Sequence, residues 1–279
     1  KAYLGDVDNL VYAKNPDSNY FATVNARVIE YLDSDPTGRE WTLYDSTITN
    51  KDTTGVFYGP EQKIYVFHEA NLNELAEYEL IIDINEGQHE VKGRTTLIAG
   101  FDVSSQLSQP TYKVTFNKSN PAVAADYKAW IFNVTEGLNA SDYNYKYTFN
   151  WTEHYLDNTS ASFSLERNNG NKGQEKPSNP QVQTASYSGI DFFQWVDSQI
   201  PDDDNVDYRI MDGLDIKISV AHEDLAQYID VAQPVTSIAQ AKPVYTNLEG
   251  GLGLFSSRLI YQQYNFRLVK NSMRELCAG

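Results

Sequence analysis

The strict alternation of apolar and polar side chains is the feature that most restricts how this chain can fold. Between residues 143 and 151, aromatic side chains occupy every odd position, whereas Asn, Lys and Thr occupy the even positions. Because successive side chains of a strand point to opposite faces, a period of two predicts strands with one buried face. The same alternation recurs often enough to predict a mainly β protein, at 22–28, 78–84, 112–116, 130–134, 214–220 and 264–268.

The aromatic stripe, as we call Tyr143, Tyr145, Tyr147, Phe149 and Trp151, has two interpretations. It can be the core face of a strand, or it can be an exposed platform on which sugar rings stack. Large exposed apolar patches are uncommon on monomeric proteins, and big aromatic side chains are mostly buried. The sequence therefore favours the buried face.

The spacing of turn signals divides the chain into two predicted domains. Residues 1–104 are expected to form an immunoglobulin-like or fibronectin-like β-sandwich, because short strands recur there between Gly, Pro, Asn and Asp clusters. Residues 105–279 are expected to form a second β-rich domain with one or two short helices, near 190–199 and 222–232. The polar segment 102–110 ends in proline and is the expected linker.

The helix near 222–232 is predicted from helical spacing of apolar residues. Leu225, Tyr228, Ile229 and Ala232 follow the i, i+3, i+4, i+7 pattern and share one helical face. Acidic residues open the segment, where the helix dipole favours negative charge.

Leu72 and Tyr78 are predicted to have a structural role. Their spacing of six residues at the start of a strand is typical of the tyrosine corner of sandwich domains. In that motif the tyrosine hydroxyl bonds to the backbone a few residues upstream. The pair therefore supports the sandwich prediction for the N-terminal region.

Charge and cysteine content restrict the partners and the compartment. The net charge of −16 disfavours nucleic acid, because phosphate backbones are bound by clustered Lys and Arg. The lone cysteine, Cys277, cannot form an internal disulfide and favours an exported bacterial protein. Lys1 in place of a start methionine indicates that a leader has been removed or that the chain has been trimmed.

No catalytic residues are predicted, because no pattern of nucleophile, base or metal ligands is present. The four histidines lack metal-binding spacing, and Cys277 lies near a chain end. Calcium is the only cofactor with a candidate site, at Asp202, Asp204 and Asp207. That run lacks the glycine and the terminal glutamate of an EF-hand loop, so a solvated turn is the alternative.

The glycine-rich segment 247–255 invites comparison with a phosphate-binding loop. Such loops need a strand before the glycines and a helix after them, whereas a strand is expected after this segment. We therefore predict a tight backbone crossing, which needs positive φ or close packing. The residues with a predicted structural role in it are Gly250, Gly251, Gly253 and Phe255.

Several segments together resemble a family of Bacteroidetes outer-membrane lipoproteins of unknown function. The resemblance lies in 63–67, Leu72 and 78–84 with the turn that follows, in 214–218 with its helix, and above all in 243–255. The last segment is similar to an Asn-Ile/Leu-x-Gly-Gly-Leu-Gly-x-Phe loop of that family. The resemblance implies lipid anchoring at the outer membrane through a cysteine upstream of Lys1, and it implies no catalytic residues.

The leading functional hypothesis is a non-catalytic ectodomain of a lipoprotein, exported to the outer membrane or surface of a Gram-negative bacterium. It would serve binding or assembly, alongside an outer-membrane nutrient-uptake receptor, with a protein or glycan partner and no nucleic acid. One alternative is a fimbrial subunit or adhesin assembled by strand addition to an open sheet edge. Another is a carbohydrate-binding or carbohydrate-active protein. Membrane association is expected only through the upstream lipid anchor.

Overall fold

The protein is mainly β, with mostly antiparallel sheets and two short α-helices, which confirms the predicted fold class. Its chain separates into two compact units. The first unit comprises Lys1–Leu97 and Asp224–Ser257, and the second comprises Ile98–Glu223 and Arg258–Gly279. The structure is a computed structural model that describes residues 20–50, 61–69, 71–109, 111–116, 126–173, 182–232 and 244–269.

The elements follow one another along the chain with two long strands, β9 and β12, in the second unit. Their bounds are β1 Val24–Leu32, β2 Asp35–Ile48, β3 Gln62–Val66, β4 Glu77–Ile84, β5 His89–Thr96, β6 Asp102–Val103, a 3-10 helix Ser105–Ser108, β7 Lys113–Val114, β8 Trp130–Thr135, β9 Ala140–Tyr155, β10 Ser160–Gly173, β11 Val182–Tyr187, α1 Gly189–Gln199, β12 Val206–His222, α2 Glu223–Ala232, β13 Leu248–Glu249 and β14 Arg258–Leu268.

The first unit is built on one six-stranded sheet, in the order β13-β5-β4-β1-β2-β3. The second strand pairs with β1 up to Leu43 and then with β3 from Tyr44 onward, so one long strand serves both neighbours. The described residues of the first unit thus form one hydrogen-bonded sheet and not the two sheets of a sandwich. The core lies on one face of this sheet. That face includes Val28, Tyr78 and Ile82, all under 8% exposed, as their alternation predicts.

The hydroxyl of Tyr78 lies at the centre of a hydrogen-bond network in this core. It accepts a hydrogen bond from the backbone N–H of Asn73 at 2.8 Å, five residues upstream, and donates one to Glu30 at 2.8 Å. Leu72 packs on the same cluster. The predicted tyrosine–backbone contact is therefore extended by a buried carboxylate, which the spacing of Leu72 and Tyr78 could not indicate.

The glycine-rich segment crosses closely over β5. Gly250 has φ +74°, and a Cβ placed there would overlap the carbonyl oxygen of Glu90; at Gly251, a Cβ would lie 3.1 Å from the Val91 methyl groups. Gly253 has φ +151°. The side chain of Asn247 bonds both the N–H (2.9 Å) and the C=O (2.7 Å) of the backbone of Phe255, and this pairing closes the loop.

Replacing Gly250 with alanine is expected to destabilise the first unit by about 3 kcal/mol or more, from positive φ and backbone overlap combined. Gly38 is the matched control, because it has φ +84° and open space around it. Its replacement by alanine should cost only about 1–2 kcal/mol, the backbone term alone. Urea unfolding of both variants measures the difference, and equal costs would show that the overlap with Glu90 is relieved.

The second unit is a sandwich of two sheets. A five-stranded sheet in the order β10-β9-β12-β14-β7 faces a three-stranded sheet in the order β11-β8-β6. The aromatic stripe lies between them: each member is at most 6% exposed, and ring centroids of Trp130 and Tyr147 are 5.7 Å apart, those of Tyr147 and Tyr187 4.7 Å. The prediction of a buried face is confirmed, and the sugar platform does not lie on this stripe.

The two units are interleaved along the chain, whereas the sequence predicted consecutive domains at 1–104 and 105–279. Segment 224–257 joins the first unit, where β13 pairs with β5. The expected linker at 102–110 is wrong for its described part, because Val103 and Leu107 are 5% and 1% exposed and belong to the core of the second unit. The burial of these two apolar side chains makes this polar segment part of the second unit.

Both predicted helices are present. The first, α1, begins after Ser188, whose hydroxyl oxygen accepts a hydrogen bond from the N–H of Asp191 and so caps the helix. The second, α2, is correctly placed, and two residues of its apolar face are exposed. Tyr228 and Ile229 are 42% and 37% exposed, and Ala226 is the buried residue. No helix in the described ranges has the length and apolar character needed to cross a membrane.

Candidate functional site

The calcium candidate is not assembled in the structure. Asp203 binds the backbone N–H and the side-chain amide of Asn205 at 2.9 Å each, so the run forms a local turn. Across the part of the chain that the structure describes, no three carboxylates, histidines or cysteines gather where they could hold a metal ion. Asp202, Asp204 and Asp207 lie within this described part and do not form such a group.

The side of the five-stranded sheet opposite the aromatic stripe carries most of the exposed chemistry, and we call it the outer face. It displays side chains from β10, β9 and β12, which we group into three rows, the first by strand pairing and the other two by side-chain hydrogen bonds. The ring row is Ser160, His154 and Tyr208; the hydroxyl row is Ser162, Thr152 and Asp212; the amide row is Ser164, Asn150 and Asp215.

The ring row brings two aromatic side chains into contact. The rings of Tyr208 and His154, which are cross-strand partners, stack with centroids 4.4 Å apart and planes at 18°. Tyr208 is 49% exposed, and Ile210 and Leu156 nearby are 37% and 66% exposed. Because each ring limits the rotation of the other, the pair has a defined geometry.

The hydroxyl row is linked by side-chain hydrogen bonds across three strands. The Oγ1 of Thr152 donates to Oδ2 of Asp212 at 2.7 Å and lies 3.1 Å from the Oγ of Ser162. Ser162 and Asp212 are exposed. The row therefore offers fixed polar groups beside the ring pair.

The amide row extends the same arrangement toward β14. Asn150 donates from Nδ2 to Oδ2 of Asp215 at 3.0 Å, and Ser164 donates to Oδ1 of Asn150 at 2.7 Å. The other oxygen of Asp215 accepts from the backbone N–H of Asn265 at 2.8 Å. Each side chain in this row thus fixes the next, which gives the outer face a defined geometry.

A β-bulge places Tyr208 and Ile210 on the outer face, and the sequence analysis missed them for this reason. Counting back by twos from buried Leu214 predicts that both point into the core. The register shifts between Met211 and Gly213, so Met211 is buried and the residues before it change faces. The available signal was Gly213, since a glycine inside a strand often marks a bulge.

A second bulge corrects the prediction for β14. Tyr264, Phe266 and Leu268 were expected to share one face, but Tyr264 is 56% exposed whereas Phe266 is 4% exposed. Asn265 has φ +63°, and the pairing with β12 shifts beside it, so the alternation restarts there. Tyr264 therefore lies on the solvent side, near Asp215.

Glu136 is a buried acidic residue of the second unit that does not belong to the outer face. It is 3% exposed, and burial raises the pKa of its carboxyl group. The nearby hydroxyl of Tyr143 accepts a hydrogen bond from the N–H of Gly137 at 3.2 Å, and burial raises its pKa to about 12. These groups face the core and have no place in the outer-face site.

Replacing Glu136 with glutamine is expected to raise the melting temperature at pH 7 and to leave it nearly unchanged near pH 4. A carboxyl group whose pKa is raised by folding stabilises the folded state only while protonated, and it loses that contribution as the pH rises through the folded-state pKa. The substitution removes the charge and keeps the shape. Calorimetry at both pH values measures the effect; a lower melting temperature at pH 7 would contradict it.

No protein-family model matches this sequence, and no curated protein matches it. Among solved structures, the C-terminal globular domain of an oligosaccharyltransferase from Pyrococcus abyssi is similar over 72% of this chain and 40% of that chain, with 11% identity and a TM-score of 0.27. This chain thus spans less than half of that chain's length. A similarity at that TM-score carries no argument about function.

Proposed function

We propose that this chain is a non-catalytic binding module of a bacterial cell envelope that holds its partner on the outer face of the five-stranded sheet. The observation that carries the binding role is the exposed Tyr208–His154 ring pair beside two bonded polar rows. Side chains fixed on strands of a packed sandwich keep their geometry better than side chains on loops, which favours recognition.

The envelope location rests on the sequence. The lone cysteine and the segment around Gly250 and Phe255 support an exported lipoprotein of the Bacteroidetes type, anchored by lipid upstream and placed beside an outer-membrane uptake receptor. Protease treatment of intact cells of the source organism tests it. The native protein should be cleaved without lysis; protection until lysis would contradict this location.

The binding role is tested with isolated envelopes from the same organism and the fluorescently labelled chain. Saturable binding is expected, and Thr152→Arg should weaken it at least tenfold, because the long charged side chain covers the hydroxyl row. Thr42→Arg is the control, since Thr42 is an exposed strand residue of the first unit. Absent saturation, or equal effects of both substitutions, would overturn the proposal.

Assembly by strand addition is a second candidate, favoured by the edge strand β10. Within the described residues, this strand of 14 residues pairs only with β9, so one side of its backbone is available to another strand. Light scattering across a range of protein concentrations tests it. Growing assemblies are expected, and a monomer at every concentration would count against it.

A further inference from the structure

We infer that the outer face binds a neutral oligosaccharide, with a sugar ring stacked on the Tyr208–His154 pair and its hydroxyls bonded to the hydroxyl row. This inference rests on the proposed binding function and names its ligand class. It requires a flat apolar surface, adjacent donors and acceptors, and a local charge that excludes anions. The described residues supply all three.

The ring pair supplies the flat surface. Tyr208 is 49% exposed and is held against His154 at 4.4 Å, so its position costs little further ordering when a ligand arrives. On β10, the residue opposite His154 is Ser160, which is exposed and small. Space for a ring-sized ligand therefore remains beside the stacked pair.

The hydroxyl row supplies donors and acceptors at the right distance. On β10 and β9 it lies two residues along the strand from the ring row, which is roughly 7 Å at 3.4 Å per residue. On β12, Asp212 lies four residues after Tyr208. Oδ2 of Asp212 is bonded to Thr152, and within the described part of the chain Oδ1 has no bonded partner. A carboxylate oxygen and two hydroxyls match the hydroxyl groups of a sugar, which both donate and accept.

Charge selects a neutral ligand. Asp212 in the hydroxyl row places a carboxylate beside the ring row, whereas Asp215 in the amide row lies opposite Thr148, six residues from His154 and roughly 20 Å along the strand. The nearest outer-face lysine on β9, Lys146, is paired with Glu166 at 2.6 Å and lies eight residues from His154. That is roughly 27 Å along the strand, beyond the Debye length of about 8 Å at physiological salt. Arg209, which follows Tyr208, is paired with Glu153 at 2.7 Å. An anionic sugar on the ring pair would therefore face the carboxylate of Asp212.

Native affinity electrophoresis of the full chain tests the inference. The gels contain neutral polysaccharides (mixed-linkage β-glucan, galactomannan, xylan or starch) or the anionic polygalacturonate and alginate. At least one neutral polysaccharide should retard the protein, and the anionic ones should not. Tyr208→Ala should weaken retardation at least tenfold. Tyr44→Ala is the matched control, because Tyr44 is 54% exposed and also lies beside a histidine, His68, at 6.4 Å.

Each outcome decides the inference. Retardation by a neutral polysaccharide that Tyr208→Ala abolishes and Tyr44→Ala preserves supports it. No retardation in any neutral gel, equal loss in both variants, or stronger retardation by the anionic polymers overturns it. If envelope binding remains sensitive to Thr152→Arg while every neutral gel is negative, the saccharide inference fails and the binding module stands, with a protein partner indicated.

Discussion

Replacing Phe149 with alanine is expected to lower the free energy of unfolding of the second unit by about 3–5 kcal/mol. Phe149 is fully buried, and its ring lies 5.0 Å from that of Phe192 and 5.3 Å from that of Trp195, both on α1. The substitution removes these contacts and leaves a cavity between sheet and helix. Because a domain is stable by only about 5–15 kcal/mol, the loss is a large share of the total.

The control for Phe149→Ala is Tyr208→Ala, which removes an aromatic ring from the outer face of the same sandwich. Because Tyr208 is 49% exposed, its loss should cost at most about 1 kcal/mol. Tryptophan fluorescence during urea unfolding follows both variants, since Trp130, Trp151 and Trp195 lie in the second unit. Similar costs for the two substitutions would contradict the assignment of the aromatic stripe to the core.

Replacing Glu30 with glutamine is expected to destabilise the first unit by about 2–4 kcal/mol at pH 7. Glu30 is 2% exposed and accepts hydrogen bonds from Tyr78 at 2.8 Å, Thr37 at 2.9 Å and Arg39 at 3.0 Å. Glutamine keeps the shape of the side chain but removes its negative charge. Its amide NH2 group would also face hydroxyl and guanidinium groups that now donate hydrogen bonds to the carboxylate. The hydrogen-exchange rates of peptides from β4, followed during a urea titration, measure the free energy of unfolding of this unit.

Glu40→Gln is the matched control for Glu30→Gln. Glu40 pairs with Arg27 at 3.7 Å, and both side chains are more than 40% exposed. An exposed ion pair of this kind contributes about 0–1 kcal/mol. The two substitutions should therefore differ clearly, and equal effects would show that burial of Glu30 has no energetic consequence.

The contribution of Glu30 to the stability of the first unit is expected to depend on pH, and its hydrogen-bond network determines the direction. Burial opposes its ionisation, but hydrogen bonds from Tyr78 and Thr37, with the charge of Arg39, together lower its pKa below the ordinary 4.5. A group whose pKa is lowered by folding stabilises above its unfolded-state pKa and loses that contribution as the pH falls through the folded-state pKa. The gap between wild type and Glu30→Gln should therefore narrow below about pH 4.5.

Alkaline pH should weaken the same network through Tyr78. Burial and the hydrogen bond to Glu30 raise the pKa of Tyr78 to about 12. Its proton is therefore held more tightly in the folded state, and the stabilisation is lost as the pH rises from 10 through about 12. Tyr78→Phe should abolish this alkaline loss while lowering stability at pH 7.

Strand existence and the core face could be predicted from alternation, because burial and the period of two are directly linked. Residues 143–151, Ile82 and Leu214 all lie as predicted. The interleaving of the units could not be predicted in this way, because it depends on a two-residue pairing between β13 and β5. Such a short contact leaves no periodic signal.

The candidate site could not be predicted from the sequence, because a β-bulge shifts the alternation of apolar and polar residues by one position. The residues beyond the bulge then lie on the opposite face of the sheet from the one that the pattern predicts. Tyr264 was placed by counting along a strand, and Tyr208 was assigned to no face; they lie beyond register shifts at Asn265 and Gly213, respectively. The aromatic stripe, which has the clearest sequence pattern, is buried, whereas Tyr208 and Tyr264 are exposed and belong to no comparable pattern. A glycine or a positive-φ asparagine inside a strand is the signal to test for.

Saccharide binding by the outer face is tested most directly by the ring-proton signals of the four histidines, His68, His89, His154 and His222, in NMR spectra. Oligosaccharides released from the neutral polysaccharides are titrated into the full chain. The signal of His154, stacked on Tyr208, should shift and saturate, whereas that of His68, beside Tyr44, should stay in place. A His154 signal that is unmoved by every oligosaccharide, or that moves no more than that of His68, would contradict the account.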